Sequence, residues 1–379
     1  MKVLHIITGL GVGGAELQLR SLLRHSRHDS DVITLYNPGP VVDMIAADGT
    51  RVRDLGMVRN TELGALPRLA RMIRAGRYDV VHAHLYRSQI YGRLAAWLAR
   101  TPVVLSTEHS IGETHLERRR MTPGVRALYL ATERCAQATI AVSDTVQSRL
   151  VNWGVPADRI WTIPNGLELD RVAFDAEARS RIRKELAIAD DAQVVGVLGR
   201  LDPNKRFDLV IEATAPLLTE DRRLLIVGDG DDRTRLEKTA ARCGVTDRVV
   251  FAGVRHDVAA MLSAMDLFIA SSEQETFGLS VLEALSNGLP VLYTTCPALV
   301  GVDTDRAHQV PGDAEAMRGH IGEELAARRR STTPVAEVQE RYGMESVADQ
   351  IDSLYEHLYL ERRGFPATRR PLPELHRSL

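Results

Sequence analysis

The sequence predicts an α/β protein with two Rossmann-like halves, each a doubly wound parallel sheet, which face each other across an interdomain cleft. Short apolar runs alternate with longer amphipathic segments throughout the 379 residues. This alternation is typical of parallel strands joined by crossover helices. The pattern restarts after the Pro-Asn-Gly turn at 164–166. The length suits two such halves, because a typical domain has about 100–200 residues.

Ten apolar runs predict the strands. In the first half they are 3–9, 31–36, 79–85, 102–108 and 138–143, and in the second half 194–200, 223–229, 249–254, 267–272 and 290–295. The amphipathic segments between them, such as 15–25, predict the helices. We place the domains at 1–168 and 169–343. A helix over 344–362 is expected to pack back on the first domain, and a loose tail follows over 363–379.

The composition argues against several classes of protein. The chain is 44% hydrophobic, with a net charge of −2 and a pI of about 6.7, so it can bury a core and is not expected to bind nucleic acid. Its three cysteines are far apart, which suits a reducing cytoplasm and predicts no disulfide framework or structural zinc. No run resembles a signal peptide or a transmembrane helix. We therefore expect a cytoplasmic protein.

The two halves differ in charge. Residues 1–165 hold 21 Lys+Arg and 14 Asp+Glu, and include the cluster Arg118–Arg120 and a series of arginines at 68, 71, 74 and 77. These side chains form either solvated helix faces or a surface for anionic lipids or phosphate-bearing acceptors.

A glycine-rich loop follows the first strand and opens a helix. Gly9, Gly11 and Gly14 satisfy Gly-x-Gly-x-x-Gly, so a dinucleotide site is one interpretation. The acid expected at the end of the second strand is missing, because Asn37 stands there. A bare turn before a helix still favours an anion. The alternative is a tight turn with no ligand.

Three histidines follow strands of the first half. His82 and His84 lie two apart on one face of a strand. They could bind a metal, line the cleft or be buried and hydrogen-bonded, and no third ligand is spaced to complete a metal site. His109 lies among polar residues and is the stronger candidate for the cleft.

Two turns of the second half carry charged residues after strands. Arg200 and Lys205 lie five apart in the first turn, an arrangement that suits a diphosphate. Lys205 is informative, since this chain uses arginine almost everywhere and an ammonium is the more compact cation. In the second turn, we expect Asp229 to cap the next helix rather than to bind a metal with Asp231. The alternative for the first turn is an ordinary surface turn.

The segment 271–290 predicts a phosphate and sugar site. Phe277, Gly278 and Leu279 lie at a predicted helix start, where free N–H groups and the helix dipole attract phosphate. Glu283 lies about one turn into that helix and can accept hydrogen bonds from a ribose diol, whereas Glu275 remains outside it. The two carboxylates could bracket a nucleotide sugar. The alternative is two ordinary acids at a helix start.

Eight short motifs follow one another along nearly the whole chain. They are GGAE at 13–16, VVHAH at 80–84, STEHS at 106–110, IPNG at 163–166, GRLDPNKRFD at 199–208, VGDG at 227–230, FAGV at 251–254 and E-x7-E at 275–283. Each motif alone is weak, but the eight in this order are highly specific. Through these eight motifs, the sequence resembles the retaining GT-B glycosyltransferases of family GT4.

The resemblance implies roles for the matching residues. Arg200 and Lys205 hold the donor diphosphate in that family. Gly13 and Gly14 lie on the same donor side, as do the amides of 277–279. With two cations and a helix N-terminus to stabilise the departing diphosphate, the family needs no metal.

The same resemblance implies positions for the nucleoside and the sugar. Glu283 binds the ribose, and the base lies near Val254. Glu275 contacts sugar hydroxyls, and His109 lies near the 6-position of the sugar and the reaction centre. Glu275 and His109 are therefore the candidate catalytic residues.

The implied reaction transfers a hexose-like sugar, with retention, from an NDP-sugar; UDP is the expected nucleotide and GDP is the alternative. The NDP-sugar is a co-substrate, and no cofactor is expected. Glu16 and His84 are expected on the acceptor side. The acceptor classes that remain open are a lipid-linked glycan, a cell-wall polymer and a small molecule. A lipid-linked acceptor would imply peripheral contact with an anionic membrane at the inner face of the plasma membrane.

One region departs from the family pattern. The family has a Gly-Gly-x-Pro-Glu turn after the second glutamate, where this chain has Thr-Cys-Pro-Ala at 295–298. The Pro-Gly-Asp at 311–313 is retained. The departure concerns the back of the donor pocket, and therefore the identity of the sugar.

Other functions would use parts of the same pattern. An NAD-dependent dehydrogenase would use the first glycine loop, but it would also require the acidic residue that is missing at the end of the second strand. An NDP-sugar epimerase of GT-B shape or a similar phosphorylase would share the fold. The phosphorylase would also require a Schiff-base lysine in the cleft, and the chain has only four lysines. A non-catalytic binder would not need both His109 and Glu275.

Overall fold

The computed structural model describes residues 1–59, 61–113, 115–117 and 119–365. The chain forms two compact units. The N-terminal unit comprises Met1–Gly166 and the chain from Met344 onward, and the C-terminal unit comprises Leu167–Gly343. Each unit has its own parallel sheet with interleaved helices, which confirms the predicted fold class.

The N-terminal unit has a seven-stranded parallel sheet and a separate two-stranded hairpin. Its strands are β1 (Lys2–Ile7), β2 (Asp29–Thr34), β3 (Arg51–Asp54), β4 (Val80–His84), β5 (Val103–Glu108), β6 (His115–Leu116), β7 (Arg119–Arg120), β8 (Ala138–Ala141) and β9 (Ile160–Thr162). The strand order is β3-β2-β1-β4-β5-β8-β9, and β6 pairs with β7 in the hairpin. The order therefore reverses between β1 and β4.

In the described part of the N-terminal unit, six helices connect these strands. They are α1 (Gly14–His25), α2 (Val41–Ala47), α3 (Ala65–Gly76), α4 (Tyr86–Ala99), α5 (Pro123–Glu133) and α6 (Asp144–Trp153). The two faces of the sheet build separate cores, because successive side chains of a strand point to opposite sides. Along β1, Leu4 and Ile6 join a core with α3 and α4, whereas Val3 joins a core on the other face.

The C-terminal unit has a six-stranded parallel sheet. Its strands are β10 (Gln193–Leu198), β11 (Arg222–Val227), β12 (Val249–Gly253), β13 (Leu267–Ala270), β14 (Val291–Tyr293) and β15 (Ala307–Gln309). Its helices are α7 (Leu169–Val172), α8 (Ala176–Glu185), α9 (Phe207–Thr214), α10 (Arg233–Arg242), α11 (Val258–Ala264), α12 (Leu279–Ser286), α13 (Ala314–Ala327) and α14 (Ala336–Tyr342). The order β12-β11-β10-β13-β14-β15 reverses between β10 and β13.

The last helix, α15 (Met344–Arg362), returns to the N-terminal unit. Its buried residues Val347 and Leu354 share a core with Trp161. The carboxylate of Asp352 accepts a hydrogen bond from the Ser26 hydroxyl at 2.8 Å. The helix is therefore fixed by both apolar packing and a buried acid.

Two sequence predictions fall partly outside the described residues. Residues 366–379 of the expected tail lie there, and so does Arg118 of the arginine cluster. Over the described ranges, none of the helices combines the length and apolar character that crossing a bilayer requires.

Candidate active site

Two loops of the C-terminal unit meet at the carboxyl ends of β10 and β13, where the strand order reverses. Asn204 joins them. Its side-chain amide donates to Gln274 O at 2.8 Å, its side-chain oxygen accepts from Gln274 N at 3.1 Å, and its main-chain oxygen accepts from Glu273 N at 2.9 Å. Ligands of doubly wound sheets bind at such a reversal, so these loops form the candidate site.

The two loops bring Lys205 and Glu275 together. Lys205 Nζ lies 2.5 Å from Glu275 Oε1. Ser272 donates its hydroxyl to the same carboxylate oxygen at 2.8 Å. The two charged side chains are 22% and 18% exposed, so they remain accessible to a ligand. A residue predicted to hold phosphate and one predicted to contact sugar are thus oriented by each other.

Bare backbone surrounds this ion pair. Gly199 follows β10 with a φ of 152°, and Gly228 follows β11 with a φ of 131°. A Cβ on Gly228 would overlap the Gly199 carbonyl oxygen, so the two loops can approach this closely only without a side chain there. Arg200, the next residue after Gly199, is exposed. Two cations and two glycine turns therefore lie along one edge of the sheet.

Helix α12 begins beside the same loops. Gly278 precedes it with a φ of 105°, a left-handed conformation that favours glycine. Leu279 is the first helical residue, and Phe277 is buried with its ring edge-on to Tyr342, at a centroid distance of 5.5 Å. The first N–H groups of a helix have no intrahelical acceptor and carry the positive end of its dipole. They can therefore bind an anion.

Glu283 lies one turn into α12 and is half-buried. Burial raises the pKa of its carboxyl to about 7, and no neighbouring charge or hydrogen bond from the described residues contributes to this shift. Hydroxyl groups of a ligand would stabilise the charged form of this carboxylate by donating hydrogen bonds to it. They would replace the water that burial removed.

Val254 lies on the same edge, directly after β12, and its side chain is 57% exposed. The neighbouring Arg255 is held by two acids, with Nη1 2.5 Å from Glu185 Oε1 and Nη2 2.7 Å from Asp257 Oδ2. The exposed apolar surface here is therefore that of Val254.

Asp229 has a different role from the one expected. Its carboxylate accepts from the adjacent Gly230 N–H at 2.8 Å and does not cap α10. The residue before α10 is Asp232, whose carboxylate pairs with Arg235 at 2.6 Å. The expectation was wrong because the turn contains three further residues before the helix begins, so that the cap position falls on Asp232.

In the N-terminal unit, the glycine loop leads from β1 into α1. Gly13 is the residue before the helix, with an extended φ of −150°, and Gly14 is the first helical residue. Glu16 lies in the first turn, and its side chain folds back over the helix start. A Cβ placed on Gly13 would lie 2.5 Å from Glu16 Oε2. The predicted residues Gly13, Gly14 and Glu16 therefore lie together at one helix N-terminus.

Two of the candidate histidines, His84 and His109, contact each other, and His84 also contacts His5, for which we predicted no role. His84 Nδ1 lies 3.3 Å from His109 Nε2, and His84 Nε2 lies 3.1 Å from His5 Nδ1. Asn165 also hydrogen-bonds the His109 side chain, which opposes the effect of burial, but burial still lowers the pKa of His109 to about 4. A cavity of about 30 Å³ is lined by His84, His109, Asn165 and Gln18 among others. It has room for about one water molecule.

His82 has separate partners. Its Nδ1 lies 2.6 Å from the Tyr355 hydroxyl and its Nε2 lies 2.7 Å from Thr107 Oγ1. The expectation that no third ligand accompanies His82 and His84 was wrong, because His5 on the neighbouring strand places a ring nitrogen within 4.8 Å of theirs. Pairing of strands distant in sequence brings them together. However, hydroxyl groups contact both ring nitrogens of His82, and His5 and His84 contact each other. Each of the three rings therefore already has a hydrogen-bond partner.

Sequence reasoning assigned no role to His5, Asn165 or Asn204. A signal existed for each. His5 is the one polar residue inside the apolar run 3–7, while Asn165 and Asn204 lie within motifs at the ends of strands. Their partners are far away in sequence, which is why the motifs alone did not reveal the contacts.

The sequence of this chain is similar to those of known proteins. Residues 178–323 match the family model "Glycosyl transferases group 1", and residues 12–171 match "Glycosyltransferase Family 4". The chain is 27% identical over 297 residues to the UDP-Gal:alpha-D-GlcNAc-diphosphoundecaprenol alpha-1,3-galactosyltransferase of Escherichia coli, which covers 75% of this chain and 76% of that protein. It is 30% identical over 295 residues to a GDP-mannose-dependent alpha-mannosyltransferase of Mycobacterium tuberculosis, covering 74% of each.

Solved structures share the fold. The crystal structure of Anabaena Alr3699/HepE in complex with UDP and glucose is 23% identical to this chain, with a TM-score of 0.83, and covers 94% of this chain and 99% of that one. These matches do not favour a dehydrogenase or an epimerase.

Proposed function

We propose that this chain, which belongs to glycosyltransferase family 4 and has the GT-B fold, transfers a hexose-like sugar from a UDP-sugar to an acceptor with retention of configuration. The main observation in support is a set of groups at the β10/β13 reversal that are complementary to a nucleoside diphosphate. Lys205 and Arg200 offer cations, the start of α12 offers N–H groups, and Glu283 offers a buried carboxylate. A diphosphate and a ribose diol would use all of them.

The donor nucleotide is supported by the relatives. UDP is bound in the HepE structure, and the E. coli relative is named for UDP-Gal, whereas the M. tuberculosis relative is named for GDP-mannose. In the proposed complex, Arg200 and Lys205 hold the diphosphate, Val254 lies by the base and Glu283 accepts from the ribose.

In the proposed transfer, the bond between the anomeric carbon and the diphosphate oxygen breaks, and the acceptor oxygen bonds to the same face of that carbon. The departing phosphate oxygen takes the acceptor proton. Lys205, Arg200 and the α12 N-terminus stabilise the charge that develops on the leaving group. Glu275 contacts the sugar hydroxyls, and His109 is the candidate catalytic residue of the N-terminal unit.

For the acceptor we propose a lipid-linked glycan, with Glu16 on the acceptor side. The name of the E. coli relative supports this class, because its acceptor is carried on diphosphoundecaprenol. Peripheral contact with an anionic membrane would then be needed, and the exposed arginines of α3 could supply it.

The test is calorimetric titration of UDP into Lys205→Ala and Arg200→Ala. A charge-assisted hydrogen bond contributes about 1.5–3 kcal/mol, so each variant should bind UDP roughly ten- to a hundredfold more weakly. Lys238→Ala is the matched control, since Lys238 is an exposed lysine of α10, and it should bind like the wild type. Wild-type affinity in both site variants would overturn the donor-site assignment.

A further inference from the structure

Three imidazole rings of the N-terminal unit form a chain. His5 Nδ1 lies 3.1 Å from His84 Nε2, and His84 Nδ1 lies 3.3 Å from His109 Nε2. His5 and His84 lie on the neighbouring strands β1 and β4, and are 1% and 2% exposed. Each of these contacts is a hydrogen bond only if one ring nitrogen carries a proton and the other does not.

Only two arrangements of protons satisfy both contacts. Burial disfavours the charged imidazolium, and a neutral imidazole carries a single N–H. His84 must therefore donate through one nitrogen and accept through the other. The protons lie either on Nδ1 of all three rings, so that the bonds run from His5 towards His109, or on Nε2 of all three rings, so that they run in the opposite direction.

The outer nitrogen of His5 distinguishes the two arrangements. His5 Nε2 is buried and has no hydrogen-bond partner in the part of the chain that the structure describes. The arrangement with protons on Nε2 would place an N–H at that atom. Buried N–H groups without an acceptor are rarer in proteins than acceptors that lack a donor. The arrangement with protons on Nδ1 leaves only a lone pair there and is therefore favoured.

Asn165 is consistent with this direction. Its side-chain hydrogen bond acts to raise the pKa of His109, as expected when the imidazole is the donor. The nitrogen of His109 that does not face His84 is Nδ1, which is the nitrogen that carries the proton in the favoured arrangement.

We infer that His5 and His84 are positioning residues that hold His109 in the tautomer with its proton on Nδ1. The chain thereby decides what His109 can do. Its Nε2 is engaged by His84, and its Nδ1 N–H donates to the Asn165 side chain. His109 so held does not take the acceptor's proton. This consequence for catalysis rests on the proposed function, whereas the tautomer itself does not.

The direct test is a long-range 1H–15N correlation spectrum of the full-length, ligand-free protein with 15N-labelled histidine, near neutral pH. Such spectra distinguish a ring nitrogen that carries a proton from one that does not. We expect His5, His84 and His109 each to show a protonated Nδ1 and a bare Nε2. A protonated Nε2 on His109, alone or together with a protonated Nδ1, would overturn the inference.

Two variants test whether His84 imposes the tautomer. In His84→Phe, the His109 signals should lose their single-tautomer pattern and show exchange between the two forms. His82→Phe is the matched control, because His82 is equally buried two residues away on β4 but bonds Tyr355 and Thr107 instead. It should leave the His109 tautomer unchanged. An unchanged His109 tautomer in His84→Phe, or an equal loss in His82→Phe, would contradict the positioning role.

The wild-type spectrum decides the tautomer even if either variant fails to fold. Calorimetric titration of UDP into the same wild-type sample tests the proposed function separately. A protein with the expected tautomers that does not bind UDP would contradict the function and leave the tautomer assignment intact.

Discussion

Burial and pairing give the charged residues of the candidate site different properties. Lys205 and Glu275 form an ion pair at 2.5 Å in a partly exposed place. Glu283 lacks such compensation, and burial alone raises the pKa of its carboxyl to about 7. The first two residues therefore offer fixed charge to a ligand. Glu283 offers a carboxylate that becomes fully charged only above neutral pH or when a ligand donates to it.

This shift predicts a pH dependence of donor binding. Ribose hydroxyl groups donate to the charged carboxylate, so binding favours the deprotonated form of Glu283 and releases a proton below its pKa. Affinity should therefore rise with pH and level off above about pH 7, by at most about tenfold per pH unit for one proton. Titration calorimetry with UDP-glucose between about pH 6 and pH 8 measures this, since its diphosphate does not titrate there.

Glu283→Gln separates this residue from other groups that titrate. The variant should bind UDP-glucose more weakly at high pH and lose the dependence on pH. Glu273→Gln is the control, because Glu273 is exposed on the adjoining loop and should behave like the wild type. An undiminished pH dependence in Glu283→Gln would show that another group is responsible.

A second prediction at this scale concerns metal dependence. We expect sugar transfer to persist in excess EDTA, because Arg200, Lys205 and the α12 N-terminus together can stabilise the leaving diphosphate. Transfer rates with and without EDTA measure this. A loss that magnesium or manganese restores, and that Asp229→Asn reproduces, would instead assign a metal to Asp229 and Asp231.

At the scale of elements, the start of α12 depends on one glycine. Gly278 has a φ of 105°, and a Cβ there would overlap the Sγ of Cys296. The buried Cys296 stands in the turn that departs from the family pattern, and it packs directly behind the helix start. The departure therefore changes what packs behind the start of α12, the backbone proposed to bind phosphate, and not only the outline of the proposed sugar pocket.

Gly278→Ala should destabilise the C-terminal unit and weaken UDP binding. A left-handed backbone costs a non-glycine residue about 1–2 kcal/mol, and the overlap with Cys296 adds to this cost. Thermal unfolding and UDP titration measure the two effects. In the double variant Gly278→Ala/Cys296→Ala the overlap is relieved but the backbone cost remains, so stability should recover only in part. Full recovery would mean that φ carries no penalty here.

The elements that sequence predicted best are the apolar central strands. Each of the ten predicted runs overlaps an observed strand, because central parallel strands are buried on both faces and are therefore apolar throughout. Five strands of the described residues were not predicted: the two-residue hairpin strands β6 and β7, and the edge strands β3, β9 and β15. β3 reads Arg-Val-Arg-Asp at the edge of its sheet, and β9 and β15 have only three residues each. Such short or polar edge strands carry little periodic signal.

At the scale of the whole molecule, the sequence predicted those parts of the candidate site whose charged residues and glycines lie together in one loop. The positions of Arg200, Lys205, Gly278 and Glu283 followed from strand-to-helix turns and the spacing within them. The histidine chain did not, because His5 joins it only through the pairing of β1 with β4. Contacts between segments far apart in sequence depend on sheet order, which the spacing of motifs does not specify.

The basic surface of the N-terminal unit bears on the acceptor. Arg71, Arg74 and Arg77 are exposed along α3 and at its end. Helix α4 places exposed apolar residues beside them, with Trp97 62% and Leu98 41% exposed. The Arg74 guanidinium donates to Leu98 O at 2.6 Å, which fixes the basic and apolar groups next to each other. This combination is suited to an anionic bilayer surface.

If the acceptor is lipid-linked, the protein should sediment with anionic vesicles at low salt and be released at high salt. Each basic residue near the surface contributes about 1 kcal/mol, and physiological salt screens exposed charges beyond about 8–10 Å. Trp97→Ala should weaken sedimentation while leaving its salt dependence, whereas Arg71→Ala/Arg74→Ala should reduce both. Neutral vesicles are the control and should not retain the protein. Failure to sediment with anionic vesicles at low salt would end the membrane interpretation and direct the search to soluble acceptors.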